Sequence, residues 1–159
     1  MAIATSKFRT RLFAGIALFT TNGMVIAADA TAVDISAASI KKLQAAIDEA
    51  KSSAPNVQVI SIHAKQSDGK TTKIASTKAA GIGSPSDPED IEAIANNKVV
   101  VIEDKDLVDV TVPMSIGGGK PLAVAGIKIV PSSGTSTAAV QKQAEEIAKK
   151  LQSVLVASP

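Results

Sequence analysis

A single histidine, His63, lies within the alternating stretch Val57-Gln-Val-Ile-Ser-Ile-His-Ala-Lys65. It is the side chain best suited to proton chemistry near neutral pH. On an extended strand its imidazole shares a face with Val59, Ser61 and Lys65, with Ile60, Ile62 and Ala64 opposite. That place suits a pocket donor, a ligand to haem, or a strand-end histidine with no binding role. One histidine and no cysteine cannot build a typical zinc site. Serines are plentiful, but a single histidine and the lack of a G-x-S-x-G elbow give a catalytic triad little support. Nothing points to a paired-carboxylate acid/base site. The chain therefore reads as non-enzymatic, with no metal and no cofactor.

Other polar groups gather around the crossover and the later strands. Residues 81–86 form a glycine-rich loop whose N–H groups could meet a carboxylate, with Ser84 and Asp87 beside them. Thr111 and Ser115 can hydrogen-bond a ligand from a strand, and Asp109 could hold an ammonium. The candidate ligand-binding residues are thus His63, Ser84, Asp87, Asp109, Thr111 and Ser115. The acidic run Asp87, Glu89, Asp90 and Glu92 lacks the spacing and glycine of a calcium loop. Gly117-Gly-Gly-Lys120 lacks the full phosphate-loop pattern and joins strand to strand, so it reads as a hairpin turn.

Composition narrows the ligand classes. The three aromatics are Phe8, Phe13 and Phe19, so the body has no aromatic cage and no platform for stacking a base or flavin. Lys7, Arg9 and Arg11 precede the first acid, Asp29; setting these three aside, the 17 basic residues become 14, against 15 acidic. A nearly neutral body gives no electrostatic reason to expect nucleic acid or an anionic membrane. Residues 1–30 read as a secretory signal: the three basic residues, the apolar Leu12-Phe-Ala-Gly-Ile-Ala-Leu-Phe19, and small-residue cleavage patterns after Ala27 or Ala30. The expectation is an exported, periplasmic or secreted protein with one domain over residues 31–159 and no membrane insertion after signal removal.

The elements that must position these groups follow from periodicity. A helix is expected over 34–53, with Ile35, Ile40, Leu43, Ile47 and Ala50 on one face and Asp34 or Ser36 as cap. Strands are expected over 57–65 and 71–77, joined at Asp68-Gly69. The second strand is weakly apolar and reads as an edge, with Lys70, Lys73 and Lys78 discouraging pairing. Asp87-Pro88 opens a short helix ending at Asn96-Asn97. Three further strands are expected over 99–103, 107–113 and 122–130, with Pro113 at an end or bulge. Ser136 caps a last helix running to about 155, with Val140, Ala144, Ile147, Leu151 and Val154 on its apolar face. The economical packing is α+β: a five-stranded antiparallel sheet covered by the long N- and C-terminal helices and a short crossover helix.

The sequence of pieces resembles a known family. A long helix leads to a hairpin with Asp68-Gly69-Lys70 and Ile74-Ala-Ser, then to Ile82-Gly-Ser-Pro-Ser-Asp-Pro-Glu-Asp, Val110-Thr-Val-Pro-Met, a Gly-rich turn with Lys120, and Ala123-Val-Ala-Gly-Ile. This order is similar to that of extracytoplasmic Cache sensor domains, whose fold is PAS-like. The resemblance implies a strand order of 2-1-5-4-3 and a pocket between the sheet and the crossover loops. It also implies ligands such as organic acids and amino acids.

The functional expectation is an exported sensor-type module that captures a small polar metabolite between its sheet and residues 79–94. One alternative is a protein-interaction module that self-associates or contacts a membrane receptor without a small ligand. The other is a carrier of haem or another cofactor on His63.

Overall fold

A computed structural model describes residues 32, 35–116 and 119–156. The segment read as an export signal lies outside the described residues, as do the first two glycines of the Gly117-Gly-Gly-Lys turn.

The chain runs α1 (Ala37–Ser53), β1 (Val57–Lys65), β2 (Thr71–Ser76), α2 (Pro88–Asn96), β3 (Val100–Asp104), β4 (Leu107–Ser115), β5 (Pro121–Ile129) and α3 (Thr137–Val156). The five strands form one sheet in the order β2-β1-β5-β4-β3, and every pairing is antiparallel. This is the α+β architecture and strand order expected above.

Local chemistry explains the boundaries. Ser36 caps α1, its hydroxyl accepting the Ser39 N–H at 3.1 Å. The β1–β2 hairpin closes through Gln66 N–H to Lys70 O at 2.7 Å, with Gly69 at φ 82°, a conformation strained for any side chain. Pro88 occupies the first turn of α2, where no donor is needed. Ser136 accepts the Ala139 N–H at the start of α3.

The two faces of the sheet have different fates. Ile60, Ile62 and Ala64 of β1, Val108, Val110, Val112 and Met114 of β4, and Ala123, Ala125, Ile127 and Ile129 of β5 face the long helices. There they bury with Leu43 and Ile47 of α1 and Val140, Ala144, Ile147 and Leu151 of α3. Each fully buried large aliphatic side chain contributes about 1.5–3 kcal/mol. Gln44 of α1 fastens this layer to β2, its amide donating to Ser76 O at 3.0 Å and accepting Ser76 N–H at 3.1 Å. The opposite face carries Val59, Ser61, His63 and Lys65 of β1, Asp109, Thr111, Pro113 and Ser115 of β4, and Val124 and Gly126 of β5. Helix α2 lies across this face, against β4 and β5.

Strand β2 is last in the order but its outer border is not bare. The crossover runs back along it: Lys73 N–H bonds Ser84 O, Gly83 N–H bonds Lys73 O, and Ser86 N–H bonds Thr71 O. Thr72 and Pro85 form an antiparallel bridge. The edge therefore relies on this backbone strap rather than on lysine repulsion alone. Pro113 lies inside β4, paired with Val124. Strand β3 pairs with β4 no further than Thr111, so at Pro113 that side of the strand asks for no donor. The bulge falls between Met114 and Ser115.

Candidate functional site

At the centre of the α2-covered face is a buried polar cluster. His63 is 3% exposed and Asp90, in the first turn of α2, is 4% exposed. His63 Nδ1 lies 3.0 Å from Asp90 Oδ2 and 2.8 Å from Ser86 Oγ, while Nε2 lies 3.2 Å from Ser61 Oγ. Asp90 Oδ2 also accepts the Asp87 N–H at 3.1 Å, so one carboxylate both caps α2 and ties it to the sheet.

Proton roles follow from the partners. A carboxylate accepts, so Nδ1 is the donor, shared between Asp90 and the Ser86 oxygen. The Ser86 hydroxyl keeps its own proton to donate elsewhere. Ser61 can donate to Nε2 or to Gly126 O, 3.4 Å away, so it satisfies the ring in either protonation state. Gly126 leaves space for the Ser61 hydroxyl at the base of the cluster. A Cβ there would sit 3.0 Å from Ser61 Oγ and 3.9 Å from Asp90 Oδ1.

Ser61, His63 and Asp90 thus have triad-like distances, but not the surroundings a nucleophile needs. Ser61 lies inside β1, paired on one side with β2 and on the other with β5. The ladders on both sides claim the nearby backbone N–H groups, which leaves no oxyanion hole beside its hydroxyl. The described residues contain no group of three or more His, Cys, Asp or Glu placed to hold a metal. Both ring nitrogens of His63 are engaged, and neither is open to a haem iron.

Beside the cluster is an open cleft of about 440 Å3 between the hairpin tip and α2. Lys65, Lys70, Thr71 and Thr72 form one wall, and Ile91, Ile94 and Ala95 of α2 the other; Pro85 and Ser86 lie at its margin. Ser86 is the link, bordering the cleft and touching His63. The volume falls within the range of small-molecule sites, roughly 300–1,000 Å3. A groove of about 450 Å3 also separates α1 from α3, with Glu49, Glu146 and Lys150 along it.

The six candidate residues scatter around these features. His63 sits behind the cleft, one hydrogen bond away. Ser84 turns its hydroxyl to Gly81 O at 2.6 Å, and Asp87 is the exposed N-cap of α2. Asp109 pairs with Lys128 at 2.7 Å, and the hydrogen bond to Asp109 raises the Lys128 pKa above its usual 10.5, against the opposing effect of burial. Thr111 is buried beside Gly126, and Ser115 is half-buried at the bulge two strands away. Ser86, Asp90 and Lys65 carry the geometry but are absent from that set. An available signal was Gly126, a glycine inside an apolar strand, which here makes room for the Ser61 hydroxyl.

The five-stranded antiparallel sheet, with long terminal helices and a short crossover helix, is a GAF/PAS-like fold. No family model matches the sequence, and no curated protein matches it. Solved structures do resemble it. The GAF domain region of a putative membrane protein from Geobacter sulfurreducens PCA has a TM-score of 0.57 at 13% identity, over 74% of this chain and 92% of that one. The type II free methionine-R-sulfoxide reductase of Thermoplasma acidophilum has a TM-score of 0.52 at 16% identity, over 77% and 99%. The blue-light absorbing form of the Thermosynechococcus elongatus PixJ GAF domain has a TM-score of 0.50 at 10% identity, over 75% and 85%.

These likenesses correct the Cache reading. The similar structures include GAF domains rather than Cache domains. The order of helix, hairpin, crossover, meander and helix is common to PAS-like folds, so it could not separate the two. The periplasmic or secreted location, read from residues 1–30, is overturned as well: the structures that this chain resembles are GAF domains, not extracytoplasmic domains of the Cache type. No helix of the described residues is long and apolar enough to cross a membrane.

Proposed function

We propose that this chain is a sensor-type module that reversibly captures a small metabolite in the cleft between the β1–β2 hairpin and α2. The observation that carries this reading is the cleft's connection to α2. A ligand there would contact Ile91, Ile94 and Ala95 directly, and would meet Ser86, which is bonded to His63 and through it to Asp90. Occupancy would bias how α2 sits on the sheet, which is what a sensor requires. His63 takes part from behind the cleft, by holding Ser86. The sulfoxide chemistry of the Thermoplasma enzyme is not carried over. Reducing a sulfoxide takes two electrons, and with no cysteine this chain has no thiol to supply them.

A thermal-shift screen of the purified chain against metabolites tests the reading. A true ligand stabilises the fold by about 2.7 kcal/mol at a hundredfold excess over its Kd. Ile94→Glu, which places a charge in the α2 wall, should abolish the shift. A screen without a single shift, or a shift that survives Ile94→Glu, would refute capture in this cleft. A chain that is dimeric and insensitive to every compound favours the dimerisation alternative instead.

A further inference from the structure

The cleft offers donors and cations on one side and aliphatic surface on the other. Lys65 is half-buried, and no carboxylate among the described residues pairs with it. Lys70 is exposed and meets only Asp68, at 3.5 Å. The Ser86 hydroxyl, its oxygen already accepting from His63, has a proton left to give. Pro85, Ile91, Ile94 and Ala95 are apolar. None of the lining residues is acidic, and the nearby Asp90 is buried and committed to His63 and the α2 cap. A ligand ammonium placed here would find no carboxylate among the lining residues, the one beside them, Asp68, being already paired with Lys70, whereas a ligand carboxylate would find two lysines and a hydroxyl.

We infer that the cleft selects an aliphatic monocarboxylate, its acid group between Lys65, Lys70 and Ser86 and its hydrocarbon part against α2, and that it discriminates against the corresponding α-amino acid. This rests on the cleft being the ligand site. The discrimination arises because the amino acid must desolvate an ammonium without a partner.

The test compares three probes sharing one carbon skeleton, by isothermal titration calorimetry on the purified chain: 4-methylpentanoate, 4-methylpentanamide and leucine. The acid should bind about tenfold or more tightly than either of the others, the difference between a charge-assisted and a neutral contact. Lys65→Met and Lys70→Met, checked for an unchanged melting temperature, should each reduce the acid towards the amide and leave the amide unaffected. Leucine or the amide binding as tightly as the acid would overturn the inference, as would a preference untouched by both lysine variants. If Ile94→Glu still abolishes the binding that remains, the class is wrong and the site is right. The class is equally wrong, and the site equally right, if none of the three binds while a broader screen finds a ligand lost in Ile94→Glu. If the broader screen is also empty, the site itself is refuted.

Discussion

The Asp90 carboxylate on α2 meets the His63 imidazole on β1 at 3.0 Å, both side chains nearly sealed from solvent. This contact, rather than an apolar seam alone, anchors the crossover helix. Asp90→Asn should destabilise the fold by about 1.5–3 kcal/mol, the range for a buried hydrogen bond to a charged group. His63→Ala should cost a similar amount, and the double variant less than the sum, because the two residues act as a unit. Urea denaturation of the four proteins measures the coupling; strictly additive losses would contradict it.

Gly126 leaves room for the Ser61 hydroxyl beneath α2. Gly126→Val places branched bulk where a single Cβ already meets Ser61 Oγ at 3.0 Å. Overpacking of this kind costs about 1–3 kcal/mol. Hydrogen exchange should quicken in α2 before it does in α1 or α3, since of the described helices α2 alone rests on that face. Uniform quickening would count against the assignment.

Gln44 closes the backbone of Ser76 as a neighbouring strand would, taking both its N–H and its C=O. Gln44→Ala leaves both groups unpaired in a half-covered position and should cost about 1 kcal/mol. Gln44→Glu keeps an acceptor for the N–H but faces Ser76 O with another acceptor, so it should not restore stability at neutral pH. Denaturant midpoints decide both.

Lys128 provides a pH signature. Its hydrogen bond to Asp109 raises its pKa above 10.5, with Glu89 and Asp87 adding smaller attractions. A raised lysine pKa means stabilisation that is fully present below the unfolded value and disappears as pH climbs through the folded one. The ammonium is half-exposed, so screening limits the effect to about 0.5 kcal/mol. The stability difference between the parent chain and Lys128→Met should therefore be steady at neutral pH and shrink above 10.5. A difference that persisted in strong alkali would argue for packing by the lysine stem.

Much of the fold was legible because its punctuation is local. Pro55-Asn56 and Asp68-Gly69 bracket β1, which spans the expected Val57–Lys65. Asp87-Pro88 marks the start of α2, and the 4-3-4-3 spacing of Val140 to Val154 marks α3. The face of β1 that carries His63 was equally readable from its alternation. What the sequence withheld was long-range: an acid in a first helical turn ordinarily points to water, and nothing near Asp90 says that its helix lies face-down on a glycine. Ser86 was obscured in the same way, since its place depends on the strap that pins residues 83–86 to β2. The likeness to GAF rather than Cache domains was not legible, because the order of hairpin, crossover and meander does not separate the two.

That strap also governs how molecules meet one another. With its own chain already occupying the β2 border, the sheet presents β3 as its unoccupied flank among the described residues, five residues ending in Glu103 and Asp104. Two copies pairing these flanks in parallel would set the acids against each other, which disfavours growth into ribbons. A break in the strap would uncover a second flank lined with threonine and lysine, opposite in sign to the first. Head-to-tail stacking would then become the hazard in concentrated solution.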